Sequence, residues 1–348
     1  MKLKAIDFFC GAGGLTHGLV RSGIEVIAGI DVDNACAESF IRNNIGVSFI
    51  SRDIRDLDVS QIRKFARTKD FSEYLFAGCA PCQPFSKQRR LTSRHKDATI
   101  LAEFGRIVCA AKPGFVLIEN VPGIEKVSGN STFRRFIKSL ESVGYKVEKD
   151  VLDAKYFGVP QSRKRLVLIA SRFGKPSLPE PRFGFDGLEP VRTVKQAISH
   201  FPPIRAGSES KSIPNHRAAG LSPLNLERMQ HTPKNGGDRR DWPRRLKLQC
   251  HQDAKVGFYD VYGRLHWNQP APSLTGKCCT ISTWRYGHPT QNRAITHREA
   301  AALQSFPDEY EFVGTFAHVS QQIGNAVPVL FAEHLGKEIL NISKRHRG

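Results

Sequence analysis

Through residue 171, short apolar runs alternate with stretches whose apolar positions recur at helical spacing. Lys4–Phe9, Glu25–Ile30, Tyr74–Ala77, Val116–Glu119, Lys146–Leu152 and Arg165–Ala170 have the length and character of strands. Leu15–Arg21, Ala35–Asn43, Ile100–Ala111 and Ser131–Val143 carry the helical period. Such alternation predicts an α/β fold, a doubly wound and mostly parallel sheet wrapped by helices. From about residue 174 the apolar runs stop, and Pro, Gly, Ser, His and Arg dominate. Helical patterning returns at Thr296–Ser305, behind a capping box of Thr296 and Glu299, and a last helix runs from Pro328 toward Ile342. The pattern predicts a discontinuous domain of residues 1–173 plus 291–348 and a smaller irregular domain of residues 174–290. There is no internal repeat.

A chain of 348 residues is long enough to bury such cores without help from disulfides. The eight cysteines, at 10, 36, 79, 82, 109, 250, 278 and 279, form no regular framework, and no charged-then-apolar leader precedes the first glycine cluster. Both features predict a reducing, cytoplasmic setting. Apolar runs such as Phe115–Ile118 and Leu166–Ala170 fall far short of the roughly 20 residues that span a bilayer, so no membrane partner is expected. Lys and Arg number 52 against 33 Asp and Glu, a net charge of +19, which favours a polyanionic partner. A solvated basic face would give the same sum. The excess, however, concentrates in Lys87–Lys96 and Arg239–Lys247, where Arg, Lys, His, Trp and Gln mix as they do on nucleic-acid-contacting surfaces.

Four constellations carry candidate chemistry. In Asp7-Phe8-Phe9-Cys10-Gly11-Ala12-Gly13-Gly14, a strand ends in a glycine-rich turn that opens a helix, a place where backbone can approach a ligand closely. The spacing is not the dinucleotide fingerprint Gly-x-Gly-x-x-Gly, and no phosphate-binding Lys-Ser/Thr follows. Asp31 after the second strand and Asp53 after the third are acids of the sort that hold ribose and adenine. This set alone specifies a nucleoside-containing ligand. The second constellation, Gly78-Cys79-Ala80-Pro81-Cys82-Gln83-Pro84-Phe85-Ser86, follows the fourth strand directly, where open sheets build their sites. A cysteine there can be a nucleophile. Cys79 and Cys82 could instead be half a zinc site or a redox pair. The adjacent Cys278 and Cys279 cannot complete a zinc site, and a thioredoxin-like pair sits at a helix start, so no metal is expected. The third, Glu119-Asn120-Val121-Pro122-Gly123, puts a carboxylate on the same sheet edge, where a structural cap is the plainer alternative. The fourth is Gln161-Ser162-Arg163-Lys164-Arg165, whose alternate residues share one face, as a solvated edge strand would also show.

In this order, the four resemble motifs of the cytosine carbon-5 DNA methyltransferases, and the resemblance covers most of the chain. Asp-Phe-Phe-Cys-Gly-Ala-Gly-Gly resembles the cofactor loop, Pro81-Cys82-Gln83 the nucleophile motif, Glu119-Asn120-Val121 the family's Glu-Asn-Val and Gln161-x-Arg163-x-Arg165 its Gln-x-Arg-x-Arg. Near the end, Arg298-Glu299-Ala300-Ala301-x-Leu303-Gln304-x-Phe306-Pro307 and Gln322-Ile323-Gly324-Asn325-Ala326-Val327-Pro328 resemble the two closing motifs. Departures are small. Cys79-Ala80-Pro81-Cys82 stands where Gly-Pro-Pro-Cys is commoner, leaving the role of Cys79 open, Cys10 replaces a small residue, and Asp31 stands where Glu is frequent.

The resemblance implies a stand-alone enzyme of prokaryotic type that uses S-adenosylmethionine to methylate carbon 5 of cytosine within a short sequence of double-stranded DNA. It would act as a cytoplasmic, nucleoid-associated monomer, with or without a cognate restriction endonuclease. Cys82, Glu119, Arg163 and Arg165 would be catalytic. Phe9, Gly11, Ala12, Gly13, Gly14, Asp31, Val32, Asp53, Ile54, Pro81, Leu101, Asn325 and Val327 would hold the cofactor. Gln83, Ser86, Gln88, Arg90, Gln161, Arg239 and Arg240 would meet DNA, and residues 174–290 would be the target-recognition domain. The transfer-RNA branch of the family carries a Cys-Phe-Thr signature; the nearest run here is Cys278-Cys279-Thr280, which favours DNA. A catalytically silent DNA-binding scaffold is the alternative of another class.

Overall fold

The computed structural model describes residues 2–80, 98–126, 132–249 and 259–346. Seven strands form one sheet: β1 Lys4–Phe8, β2 Glu25–Asp31, β3 Ser48–Ser51, β4 Tyr74–Gly78, β5 Phe115–Asn120, β6 Lys146–Asp153 and β7 Lys164–Ser171. Their order is β3-β2-β1-β4-β5-β7-β6. The first five run parallel, and β7 is antiparallel to both β5 and β6. The helices of this region are α1 Gly14–Ser22, α2 Ala37–Asn43, α3 Val59–Ala66, α4 Ala98–Ala111 and α5 Thr132–Ser142. Helix α3 escapes the pattern reading because it is short and its apolar residues sit among Arg and Lys; a capping box of Asp58 and Gln61 starts it.

Alternation along the strands sorts the core. Ile6 and Phe8 of β1, Phe76 of β4, Ile118 of β5 and Leu166 and Leu168 of β7 pack with Ile62 of α3, Phe104 and Ile107 of α4 and Phe136 and Leu140 of α5. Asp7 points to the opposite face, where the hydroxyl of Thr16 on α1 donates to it at 2.7 Å. Helix α1 packs on the last helix, and an added Cβ at Gly18 would sit 2.3 Å from the Cβ of Ala332.

Contacts divide the chain into two compact units. The first comprises residues 1–157, 164–181 and 327–348, and the second residues 158–163 and 182–326. The boundaries differ from the patterned 173/174 and 290/291. Residues 158–163 join the second unit, where Ser162 donates its backbone N–H to Ala271 at 2.8 Å. The helical stretch after residue 296 joins it too. Its remaining helices are α6 Val194–Ile198, α7 Pro223–His231, α8 His297–Leu303 and α9 Phe316–Asn325, and only α10 Val329–Arg345 belongs with the sheet. Helical period alone does not say where a helix docks; buried Arg298 at the start of α8 bonds Pro214 and Pro307 carbonyls within the irregular unit.

In the second unit a small apolar cluster of Met229, Trp242, Leu246, Tyr262, Ile281 and Ala294 is supplemented by buried guanidinium groups. Arg264, 1% exposed, donates to the carbonyls of Met229, Thr232, His288 and Gln291 and to Asn292 Oδ1 at 2.6–3.0 Å. Burial lowers its pKa to about 10. Arg293 pairs with Glu299 through two 2.7 Å bonds in the same interior.

Candidate active site

The carboxyl ends of β1, β2, β4 and β5 share one edge of the parallel sheet, and the first-unit candidates gather there. Beyond β1 the chain breaks pleat at Phe9, which has φ 63, and continues through Gly11 at φ 50 and Gly13 at φ 92 into α1. Glycine suits the last two positions because an L side chain is strained there. Space for a Cβ at Gly11 is open, with nothing within 4 Å. Asp31, at the end of β2, braces this loop. Its Oδ2 accepts from Gly11 N at 2.8 Å and its Oδ1 from Asp33 N at 2.9 Å. Burial raises the Asp31 pKa, with the backbone donors opposing it. Val32 beside it is 67% exposed, an uncovered apolar surface next to an acid. Ile54 and Leu101 are buried in the sheet core. The Asp53 carboxylate is bonded by Arg55, whose side chain lowers its pKa. Asn325 lies in the second unit and Val327 in the first. An acid braced by backbone amides, an open glycine loop and an uncovered apolar side chain fit the ribose and base of a nucleoside ligand.

Glu119 is the penultimate residue of β5 and is 2% exposed. The Cys79 thiol donates to its Oε2 at 2.8 Å, and Arg165 Nε lies 3.0 Å from its Oε1 in an ion pair. The pairing register explains the second contact: Glu119 faces Val167, so Arg165, two residues back on the same face of β7, is its diagonal neighbour and within reach of a long side chain. Asn120 turns the other way and donates from Nδ2 to Ala80 O at 3.0 Å, while its Oδ1 accepts from Val121 N at 2.8 Å. The segment leaving β4 is therefore fastened twice to the end of β5, immediately before the proposed nucleophile. Pro81, Cys82, Gln83, Ser86, Gln88 and Arg90 lie outside the described residues.

Three expectations need correction. Arg163 does not present its guanidinium to a base edge. It is 3% exposed, with Nη1 donating to Leu274 O at 2.8 Å and Nη2 to Gly324 O and Ala326 O at 3.2 and 3.1 Å. Gln161 is fully buried rather than presented at the surface, bonded to Leu303 O, Gln304 Oε1 and Leu274 N. Of the basic cluster at 239–247, Arg239 and Trp242 face inward at 6% and 3% exposure, and Trp242 Nε1 donates to Thr232 Oγ1 at 2.8 Å; Arg240 is exposed. The alternating pattern of Gln161, Arg163 and Arg165 signals one shared face, but only Arg165 belongs to the sheet unit. Sequence reasoning left Cys79 unassigned and did not single out the Asn120 clamp.

Fold and site edge together define a doubly wound α/β enzyme of a nucleoside-containing ligand. The family model of C-5 cytosine-specific DNA methylase matches residues 3–341, and the chain belongs to that family. It is 38% identical to the type II methylase M.HgiDII of Herpetosiphon aurantiacus, over 96% of this chain and 94% of that protein. It is 33% identical to the type II methyltransferase M1.HphI of Haemophilus parahaemolyticus, over 99% and 88%. Among solved structures, the S. pombe Dnmt2 methyltransferase shares the fold at TM-score 0.65 and 17% identity, covering 99% of both chains. An E. coli prophage-encoded chain described as a DNA modification methyltransferase does so at TM-score 0.77 and 24% identity, covering 99% and 100%. The chain is a DNA (cytosine-5)-methyltransferase. Among the described residues no helix is long and apolar enough to cross a membrane.

Proposed function

We propose that the enzyme methylates carbon 5 of cytosine within a short sequence of duplex DNA, using S-adenosylmethionine, through covalent addition of Cys82 to a flipped-out base. The observation that carries this reading is the position of Glu119, a buried carboxylate fastened to the segment that leads into Cys82.

Cytosine carbon 5 is too poor a nucleophile to react unaided. Addition of the Cys82 thiolate to carbon 6 breaks the 5,6 double bond and moves electron density toward carbon 5 and N3. Glu119 holds a proton at N3 as that density develops, and Arg165, paired with Glu119, keeps the carboxyl in place and supports the base edge. S-adenosylmethionine, when bound, supplies the methyl group as an electrophilic sulfonium carbon; Phe9, Gly11, Asp31, Val32 and Leu101 would hold it. Transfer of the carbon-5 proton to water re-forms the double bond and expels the Cys82 thiolate. The target atoms lie inside the duplex, so the base must leave the stack at a cost of a few kcal/mol. The basic segment holding Gln88 and Arg90 is suited by composition to close over it. The second unit takes the role of target recognition. The type II relatives favour a restriction-modification setting, with a cognate endonuclease as partner. We also assign a cytoplasmic monomer, because one flipped base per chain makes no chemical demand for a second copy.

The test is transfer of tritiated methyl from S-adenosylmethionine to duplex DNA and to transfer RNA. Label is expected at cytosine carbon 5 of DNA, abolished in Cys82→Ser and reduced by about 100-fold or more in Glu119→Gln, as loss of a general acid dictates. Label confined to RNA would move the enzyme to the transfer-RNA branch of its family.

A further inference from the structure

Asp238 is 3% exposed and starts the turn that carries Arg240, whose backbone N–H it accepts at 3.0 Å. It also takes the Arg240 side chain edge-on. Nε donates to Oδ1 and Oδ2 at 2.9 and 3.2 Å, and Nη2 donates to Oδ2 at 2.7 Å. Asp238 is held from behind by Arg285, whose Nη2 is 3.5 Å away; Arg285 in turn donates from Nε to Asp260 at 2.9 Å and from Nη1 to Gly236 O at 2.7 Å. The guanidinium of Arg240 lies 4.9 Å from the ring centre of Tyr259, itself 43% exposed. Even so, the Arg240 side chain is 64% exposed.

A guanidinium has two donor edges, the Nε/Nη2 side and the Nη1/Nη2 end. Asp238 occupies the side edge. The end edge keeps two parallel N–H groups, and Nη1 has no partner among the described residues. Two parallel donors match the O6 and N7 acceptors of guanine in the major groove, whereas adenine offers N7 beside a donor. A phosphate would also accept such a fork, but phosphate contacts draw on charge. Here Arg240 and Arg285 are offset by Asp238 and Asp260, so the interlocked set has no net charge, while the orientation of the fork is fixed on two sides.

We propose that Arg240 is a specificity-determining residue that reads one guanine of the recognition sequence through Nη1 and Nη2, with Asp238 and Tyr259 holding its plane. This rests on the proposed action on duplex DNA. To test it, the methylated sequence is first mapped, and every base pair of the site is then exchanged in turn for wild type, Arg240→Ala and Asp238→Asn. Wild type is expected to lose roughly 10- to 100-fold in rate when the guanine is replaced, the usual discrimination of a bidentate pair. Part of that loss should reappear when the guanine is 7-deazaguanine. Arg240→Ala should accept any base at that one position while discriminating as before elsewhere, and should remain folded at the assay temperature. Asp238→Asn should relax the same position to a smaller degree. A uniform loss across all sequences, with a salt slope lower by about one, would make Arg240 a phosphate contact and overturn the proposal. Unchanged discrimination in both variants would reduce it to a solvated ion pair. Absence of wild-type methyl transfer to any duplex would instead bring down the underlying reading, and this inference with it.

Discussion

The sheet unit and the irregular unit solve the same problem with different chemistry. In the first, backbone groups pair along strands, and apolar faces exclude water around Leu117, Phe76 and Phe104, each 0% exposed. Polar side-chain bonds important to function gather at one edge. In the second, where long strands are absent among the described residues, arginine side chains take up carbonyls that regular structure would otherwise satisfy. Arg264, Arg298 and Arg163 together accept this duty from Met229 to Ala326. A buried carbonyl without a donor is costly, and a planar cation with five N–H groups can satisfy several at once. The lesson is that an arginine-rich stretch of a DNA-binding protein can be basic for its own architecture.

The largest expected effect tests that contrast directly. Arg264→Met keeps most of the volume but withdraws the guanidinium from five acceptors; Met229 O and Gln291 O keep backbone N–H partners, while Thr232 O, His288 O and Asn292 Oδ1 lose the donor described for them. At about 1–3 kcal/mol for each of those three, the loss is on the order of 5 kcal/mol, comparable with the whole stability of a domain. Leu117→Ala in the sheet should cost about 2–5 kcal/mol, the range for a buried leucine. Urea unfolding followed by hydrogen exchange in each unit should show the second unit melting early in Arg264→Met, with the sheet still protected. A smaller loss than for Leu117→Ala would break the comparison.

The two units should also answer pH in opposite directions. Asp7 is fully buried in the sheet unit, and desolvation first, then neighbouring Asp31, raises its pKa to about 7 against the bond from Thr16. A carboxyl with a raised folded pKa favours the fold when protonated; this contribution is complete below about pH 4 and is lost as pH rises through 7. In the second unit, burial lowers His288 and His297 to about 4. Their contribution is present above about pH 6.5 and is lost as pH falls toward 4. Acidification from pH 7.5 to 5 should therefore strengthen the sheet unit and weaken the other, each by a few kcal/mol at most. Asp7→Asn should flatten the response of the sheet alone, read as unit-resolved exchange rates at the two pH values. A parallel response of both units would count against these assignments.

How far the chain was legible follows the same division. Strand pattern, the glycine turn and Glu119 are local signals, and the sheet edge assembles from them almost as the pattern implies. Asp31 was visible as a strand-end acid, although its bracing of Gly11 depends on the parallel register of β1 and β2. In the irregular unit, Arg163, Gln161, Arg239 and Trp242 have the composition of a ligand surface, and only tertiary burial turns them inward. No period marks Arg163 or Gln161, because their partners lie more than a hundred positions away, as Leu274 and Gly324 are from Arg163 and Leu303 from Gln161.

The smallest expected effect concerns a sheet-edge residue whose role its motif leaves open. Cys79 does not need to touch the base to matter, since its thiol donates to the Glu119 oxygen opposite the one that Arg165 faces. With Asn120 it fixes both the carboxyl rotamer and the segment leading into Cys82. Cys79→Ala removes one donor and leaves the Arg165 contact, so kcat should fall by about tenfold, the low end for a hydrogen bond to a carboxylate because a thiol is a weak donor. KM for S-adenosylmethionine should hold, because the bond removed runs to Glu119, whereas Gly11 is held by Asp31. Cys79→Ser keeps a donor in nearly the same place and should recover most of the rate. Equal losses in the two variants would mean that packing rather than the hydrogen bond sets the carboxyl, and a change confined to KM would move Cys79 to the cofactor side of the edge.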